Sequence, residues 1–230
     1  VALKIQSTRD TATSQYINAI IYGQAGIGKT VLCSTAPHPI ILSAEDGLLS
    51  LAGKDIDFVK ITCFQDLIEA YNELKKGEHD YQTVCIDSLS EVAETILAER
   101  KKNERDPRRA YGDMAEEIIA AVRKFKRLPM HTFFIAKQGR IEDAFTGKQS
   151  FGPSFPGQVL QANLPYQVDL LFPMRLGKHE GKEYRYIQTA PDIQYEAKDR
   201  SGIFDAKEKP DLGVMIEKLR NHVQTTQTGN

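Results

Sequence analysis

YGQAGIGKT, residues 22 to 30, follows the apolar run 17–22 and contains the spacing Gly23-x-x-x-x-Gly28-Lys29-Thr30. A strand that ends in such a loop, with a helix opening at Lys29, turns free backbone N–H groups and a helix dipole towards an anion. The pattern is that of a phosphate-binding loop. It predicts nucleotide contacts from Gly23, Gln24, Ala25, Gly26, Ile27, Gly28, Lys29, Thr30 and Val31, with Lys29 on the β- and γ-phosphates and the Thr30 hydroxyl on Mg²⁺. ATP and Mg²⁺ are therefore the expected cofactors. A glycine-rich turn with an exposed lysine is the competing reading, under which Lys29→Ala leaves ATP affinity unchanged.

Further short, continuously apolar runs lie at 39–43, 57–62, 82–87 and 131–136, as expected of strands covered on both faces. Helical spacing separates them: Phe64, Leu67, Ile68, Tyr71 and Leu74 before a stop at Gly77, then Leu89, Val92, Ile96 and Leu97, then Met114, Ile118, Val122 and Phe125. The alternation predicts an α/β fold with a mainly parallel sheet flanked by helices. Strand-like runs from Val168 to Ala197, with a turn around 179–181, predict C-terminal antiparallel strands, and a helix is expected over roughly 210–222. One domain over 15–223 follows, with flexible ends at 1–14 and 224–230.

Two carboxylates complete the nucleotide reading. Asp87 closes the run Thr83-Val84-Cys85-Ile86 and is the expected Mg²⁺ partner, although a helix-capping aspartate would occupy the same place. Glu45, just past the second strand, is the candidate for polarising the attacking water; Asp46 is the competing choice.

With 41% hydrophobic and 27% charged residues and a net charge of −1, the chain has an ordinary globular composition and no overall basic balance, so any anionic partner must be held by local patches. Cys33, Cys63 and Cys85 form no C-x-x-C pair, and the five histidines show no metal-ligand spacing. No stretch of 18 apolar residues and no leader is seen, which predicts a cytoplasmic protein without a membrane partner.

In order, the phosphate loop, Ser43-Ala44-Glu45 and Ile86-Asp87-Ser88 resemble the RecA-like ATPases. The resemblance implies that Gln138, after FFIAK, is a nucleotide sensor. It also implies two DNA-contacting loops, NERDPRRAYGD at 103–113 and the Gly- and Pro-rich stretch 139–156. Arg105, Arg108, Arg109, Arg140 and Lys148 would then meet phosphates of single-stranded DNA, and Tyr111, Phe151 and Phe155 would stack on bases. A solvated linker has the same composition, diluted by Glu104, Asp106, Glu142 and Asp143.

EAKDRSG, 196–202, resembles the Lys-x-Arg element of DnaB-type helicases, which implies that Lys198 and Arg200 act on the γ-phosphate held by a neighbouring subunit. Small size and motif order are most similar to the phage RecA-like single-strand annealing proteins, the Sak-four group. That resemblance implies strand annealing in recombination, self-assembly as filament or ring, and a single-strand-binding protein as partner. A ring motor related to helicases, and a nucleotide-binding scaffold that touches no DNA, are the alternatives.

Overall fold

The computed structural model describes residues 16–45, 48–142, 147 and 149–228, the last three as backbone. Apolar alternation within the first strand sets up the architecture. In β1 (Asn18–Gly23) every residue is buried, and neighbouring side chains point to opposite faces. Ile20 and Tyr22 enter one core, whereas Ala19 and Ile21 enter the other.

Around β1 the sheet is built from β2 (Pro39–Ser43), β3 (Asp57–Lys60), β4 (Thr83–Asp87), β5 (His131–Glu142), β6 (Gln149–Ser154), β7 (Leu170–His179), β8 (Lys182–Gln188), β9 (Lys198–Asp199) and β10 (Lys207–Glu208). The order is β10-β8-β7-β1-β5-β4-β2-β3. From β7 to β3 all neighbours are parallel. The pairs β7–β8, β8–β10, β5–β6 and β7–β9 are antiparallel. This is the α/β arrangement of a P-loop nucleoside triphosphatase core, in which β5 stands between the phosphate-loop strand and the strand ending in Asp87.

The helices are α1 (Lys29–Cys33), α2 (Phe64–Lys76), α3 (Leu89–Asn103), α4 (Pro107–Phe125), α5 (Gln158–Gln167) and α6 (Leu212–Thr228). Buried residues of α2 to α5 share the core that takes Ile20 and Tyr22, and those of α1 and α6 share the other. Local chemistry sets their ends. Gly77 closes α2 in the left-handed conformation at φ 72. Ser88 caps α3, and Asp106 followed by Pro107 opens α4.

Four expectations are corrected. The run at 57–62 contributes the terminal strand of the sheet order, and all four residues of β3 are exposed rather than covered on both faces. The stretch 139–156 is largely a hairpin: β5 continues to Glu142 and pairs with β6 from Lys137↔Ser154 to Glu142↔Gln149. Its glycines permit that pairing, since a Cβ on Gly139 would stand 2.9 Å from the Ser154 Cβ and one on Gly152 only 2.4 Å from Ile141 Cδ1. Most of 103–113 is helix, leaving three residues, 104–106, between α3 and α4. Before β9 opens at Lys198, the stretch 193–197 forms only an isolated bridge, Phe151↔Tyr195. Helix α5 was not anticipated, and α6 runs to Thr228. Among the described residues no helix is long and apolar enough to cross a membrane.

Candidate functional site: a nucleotide cleft at the strand ends

The glycines of residues 23–28 are required by geometry. Gly26 and Gly28 have φ of 73 and 103, a region that side chains disfavour, and a Cβ on Gly23 would lie 2.9 Å from the Met174 carbonyl oxygen. The loop can therefore turn tightly against β7 and lead into α1, whose first-turn N–H groups have no intrahelical acceptors. Lys29 lies back across the loop and donates to the carbonyls of Gly23 at 3.0 Å and Gln24 at 2.9 Å. Its ammonium is half-buried. Desolvation lowers its pKa, offset in part by the charges of Asp87 and Glu45.

Asp87 sits at the end of β4, 4% exposed, and accepts a hydrogen bond from the Thr30 hydroxyl at 2.6 Å. Burial raises its pKa, the Thr30 bond opposes this, and the neighbouring Glu45 charge adds to the rise. A hard cation fits this donor set: a carboxylate and a hydroxyl already in contact at the loop that would hold the phosphates. Thr30 and Asp87 are thus the residues that would hold Mg²⁺. Among the described residues no cluster of three or more His, Cys, Asp or Glu side chains could hold a metal by itself. Glu45 lines the same cleft and accepts from the Ser88 hydroxyl at 2.8 Å, which fixes its carboxylate beside Asp87. Asp46 lies outside the described residues.

Gln138 also lines the cleft, which has a volume of about 980 Å³. One residue before it, Lys137 is paired across β1 with Gly23 and bridges Glu91 at 2.6 Å and Glu94 at 3.1 Å. Burial works to lower the Lys137 pKa, and these hydrogen bonds outweigh it, so the net direction is up. Lys137, Glu91, Met174, Arg185 and Pro210 line the cleft without having been singled out in the sequence. The β7–β8 hairpin was legible, but its register against the phosphate loop depends on Tyr22↔Pro173 pairing between residues far apart in the chain.

The remaining candidates lie elsewhere. Lys198 and Arg200 stand near the opposite end of the strands: Lys198 pairs with Leu171, itself beside Ile20. The Lys198 ammonium donates to the carbonyls of Pro165 and Val168, both at 2.6 Å, closing the C-terminus of α5. Burial lowers its pKa, and the nearby Arg200 charge adds to this. Arg200 pairs with Asp169 at 3.3 Å and remains about half exposed.

Arg105, Arg108 and Arg109 are exposed around the start of α4, with Arg109 3.4 Å from Glu104. Tyr111 is 36% exposed beneath the Lys101 ammonium. Arg140 is exposed on β5 and paired with Phe151, which is half-buried against the Tyr195 ring. Phe155, expected to stack on bases, is instead 8% exposed in the core, because the chain turns inward there to begin α5. Lys148 lies outside the described residues.

A family model described as an AAA domain matches residues 15–201. No curated protein matches the chain. A match over that much of the sequence, on a fold and loop already those of a nucleoside triphosphatase, makes the protein a member of the AAA domain family of P-loop ATPases.

Proposed function

We propose that the protein is a Mg·ATP-dependent ATPase that binds single-stranded DNA and promotes annealing of complementary strands in recombination, with ATP held between subunits. One observation carries the reading: β5 runs unbroken from Gln138 in the cleft to Arg140, exposed two residues further on. A shift sensed at Gln138 passes along a hydrogen-bonded strand to the hairpin, so nucleotide state can bias how Arg140 is presented. Arg105 and Arg108 add exposed cations at the start of α4, and Tyr111 offers a ring face.

In the cleft, Lys29 would neutralise the phosphate tail, Thr30 and Asp87 would hold the metal, and Glu45 would orient the attacking water while Ser88 holds its carboxylate in place. Mg²⁺ held by these residues would offset the negative charge that builds on the transferring phosphoryl group. Arg200 is the better candidate to act in trans, because the Lys198 ammonium is committed to two carbonyls of its own chain.

Fluorescence anisotropy of a labelled single-stranded oligonucleotide, with and without Mg·ATP and across a salt series, tests this. ATP-enhanced binding that weakens with salt and with Arg140→Ala is expected. Binding in no nucleotide state would discard the DNA role and favour a nucleotide-binding scaffold; unwinding of a forked duplex would favour a motor.

A further inference from the structure

The β7–β8 hairpin reaches past the phosphate loop. Pro173 is the β7 residue opposite Tyr22, so Met174 is level with Gly23 at the end of β1 and everything from Arg175 to the turn extends beyond it. Arg185 lies on the returning strand, opposite Leu176, and lines the cleft. Its Nε would be 3.7 Å from a Cβ on Gly28, and Met174 Cε 3.6 Å from the same point. Among the described residues no carboxylate is within ion-pair distance of its guanidinium, and no hydrogen bond engages it.

Arg185 is an exposed cation against the loop's last glycine, in the cleft that also holds Lys29, and with no partner among the described residues its guanidinium is free to close on an anion bound at the loop. Gly28 immediately precedes the N–H groups of α1, the part of a phosphate loop that meets the phosphates common to ADP and ATP. We propose that Arg185 is a nucleotide-contacting residue, supplied by the same chain, that grips this shared diphosphate, while Lys29 serves the β- and γ-phosphates from the other side. The inference rests on reading the cleft as an ATP site. A guanidinium presents two parallel donors to phosphate oxygens and gives directional contacts that a lysine cannot reproduce.

Isothermal titration calorimetry of the full chain with Mg·ADP and with a non-hydrolysable ATP analogue tests the assignment. Arg185→Gln is expected to raise Kd for both nucleotides by a similar factor of about ten, with Arg185→Lys intermediate. Lys178→Gln, which removes an exposed cation from the same hairpin outside the cleft, should stay within about twofold of the wild type. Unchanged affinity in Arg185→Gln, an equal loss in Lys178→Gln, or a loss confined to the triphosphate would each overturn the assignment. A wild-type protein that binds neither nucleotide would instead overturn the ATP-site reading, and this inference with it.

Discussion

Asp87 and Lys29 are both displaced towards their neutral forms because both are drawn out of water beside a phosphate loop. For Asp87 the sign follows from linkage. A carboxyl whose pKa is raised by folding holds its proton more tightly in the native state, so stability falls as pH rises from about 3.9 through the native value. Asp87→Asn removes that penalty and keeps an acceptor for the Thr30 hydroxyl. The nucleotide-free variant should therefore melt at a higher temperature than the wild type at neutral pH, with the difference vanishing in acid, as scanning fluorimetry across pH would show. Its Mg-dependent hydrolysis should fall at least about 100-fold, because the carboxylate that would hold the metal is gone. A variant that melts lower at neutral pH would mean that the carboxylate is stabilised rather than penalised where it sits.

Elements differ in how far the sequence announces them. Strands β1, β2, β4 and the first half of β5 are short apolar runs, and of the two readings open for Asp87 at the end of β4 the helix cap is taken instead by Ser88. The β5–β6 hairpin is hard to see in the sequence because glycines and prolines usually break strands, and here Gly139 and Gly152 instead relieve crowding at a partner that the local sequence does not name. Tyr22 is a similar case. An apolar-looking residue in β1, it directs its hydroxyl to the carbonyls of Phe151 at 2.9 Å and Glu196 at 2.6 Å, tying β6 and the segment before β9 to the central strand. Burial, followed by the nearby Glu196 charge, raises its pKa, so the hydroxyl stays protonated as the donor. Tyr22→Phe should cost about 1–2 kcal/mol in urea denaturation, since the one hydroxyl proton shared between the two carbonyls is lost, although Phe151 keeps the Glu196 N–H. No loss would show that water satisfies them equally well.

At the scale of the whole molecule, the nucleotide cleft and the Arg200 region lie towards opposite ends of one sheet, and under the proposal that ATP is held between subunits the Arg200 of one subunit would complete the site of the next. Lys29→Ala and Arg200→Ala should then each have little ATPase activity alone and recover a substantial part on mixing, because a mixed interface joins an intact loop to an intact arginine. Failure of the mixture to exceed the sum of its parts would assign Arg200 to its pairing with Asp169. The match to the AAA domain and the cleft geometry agree on nucleotide chemistry, whereas the tie from Lys198 to the α5 carbonyls was invisible in EAKDRSG because its partners lie about thirty residues upstream. The hairpin that carries Arg185 ends in a turn at Glu180 and Gly181, both in the left-handed region, where a Cβ on Gly181 would meet nothing within 4 Å. That tip is an open graft point. A fluorophore or short peptide tag placed there would ride on a strut hydrogen-bonded to the phosphate-loop strand, and so would report nucleotide binding in the cleft without touching either core.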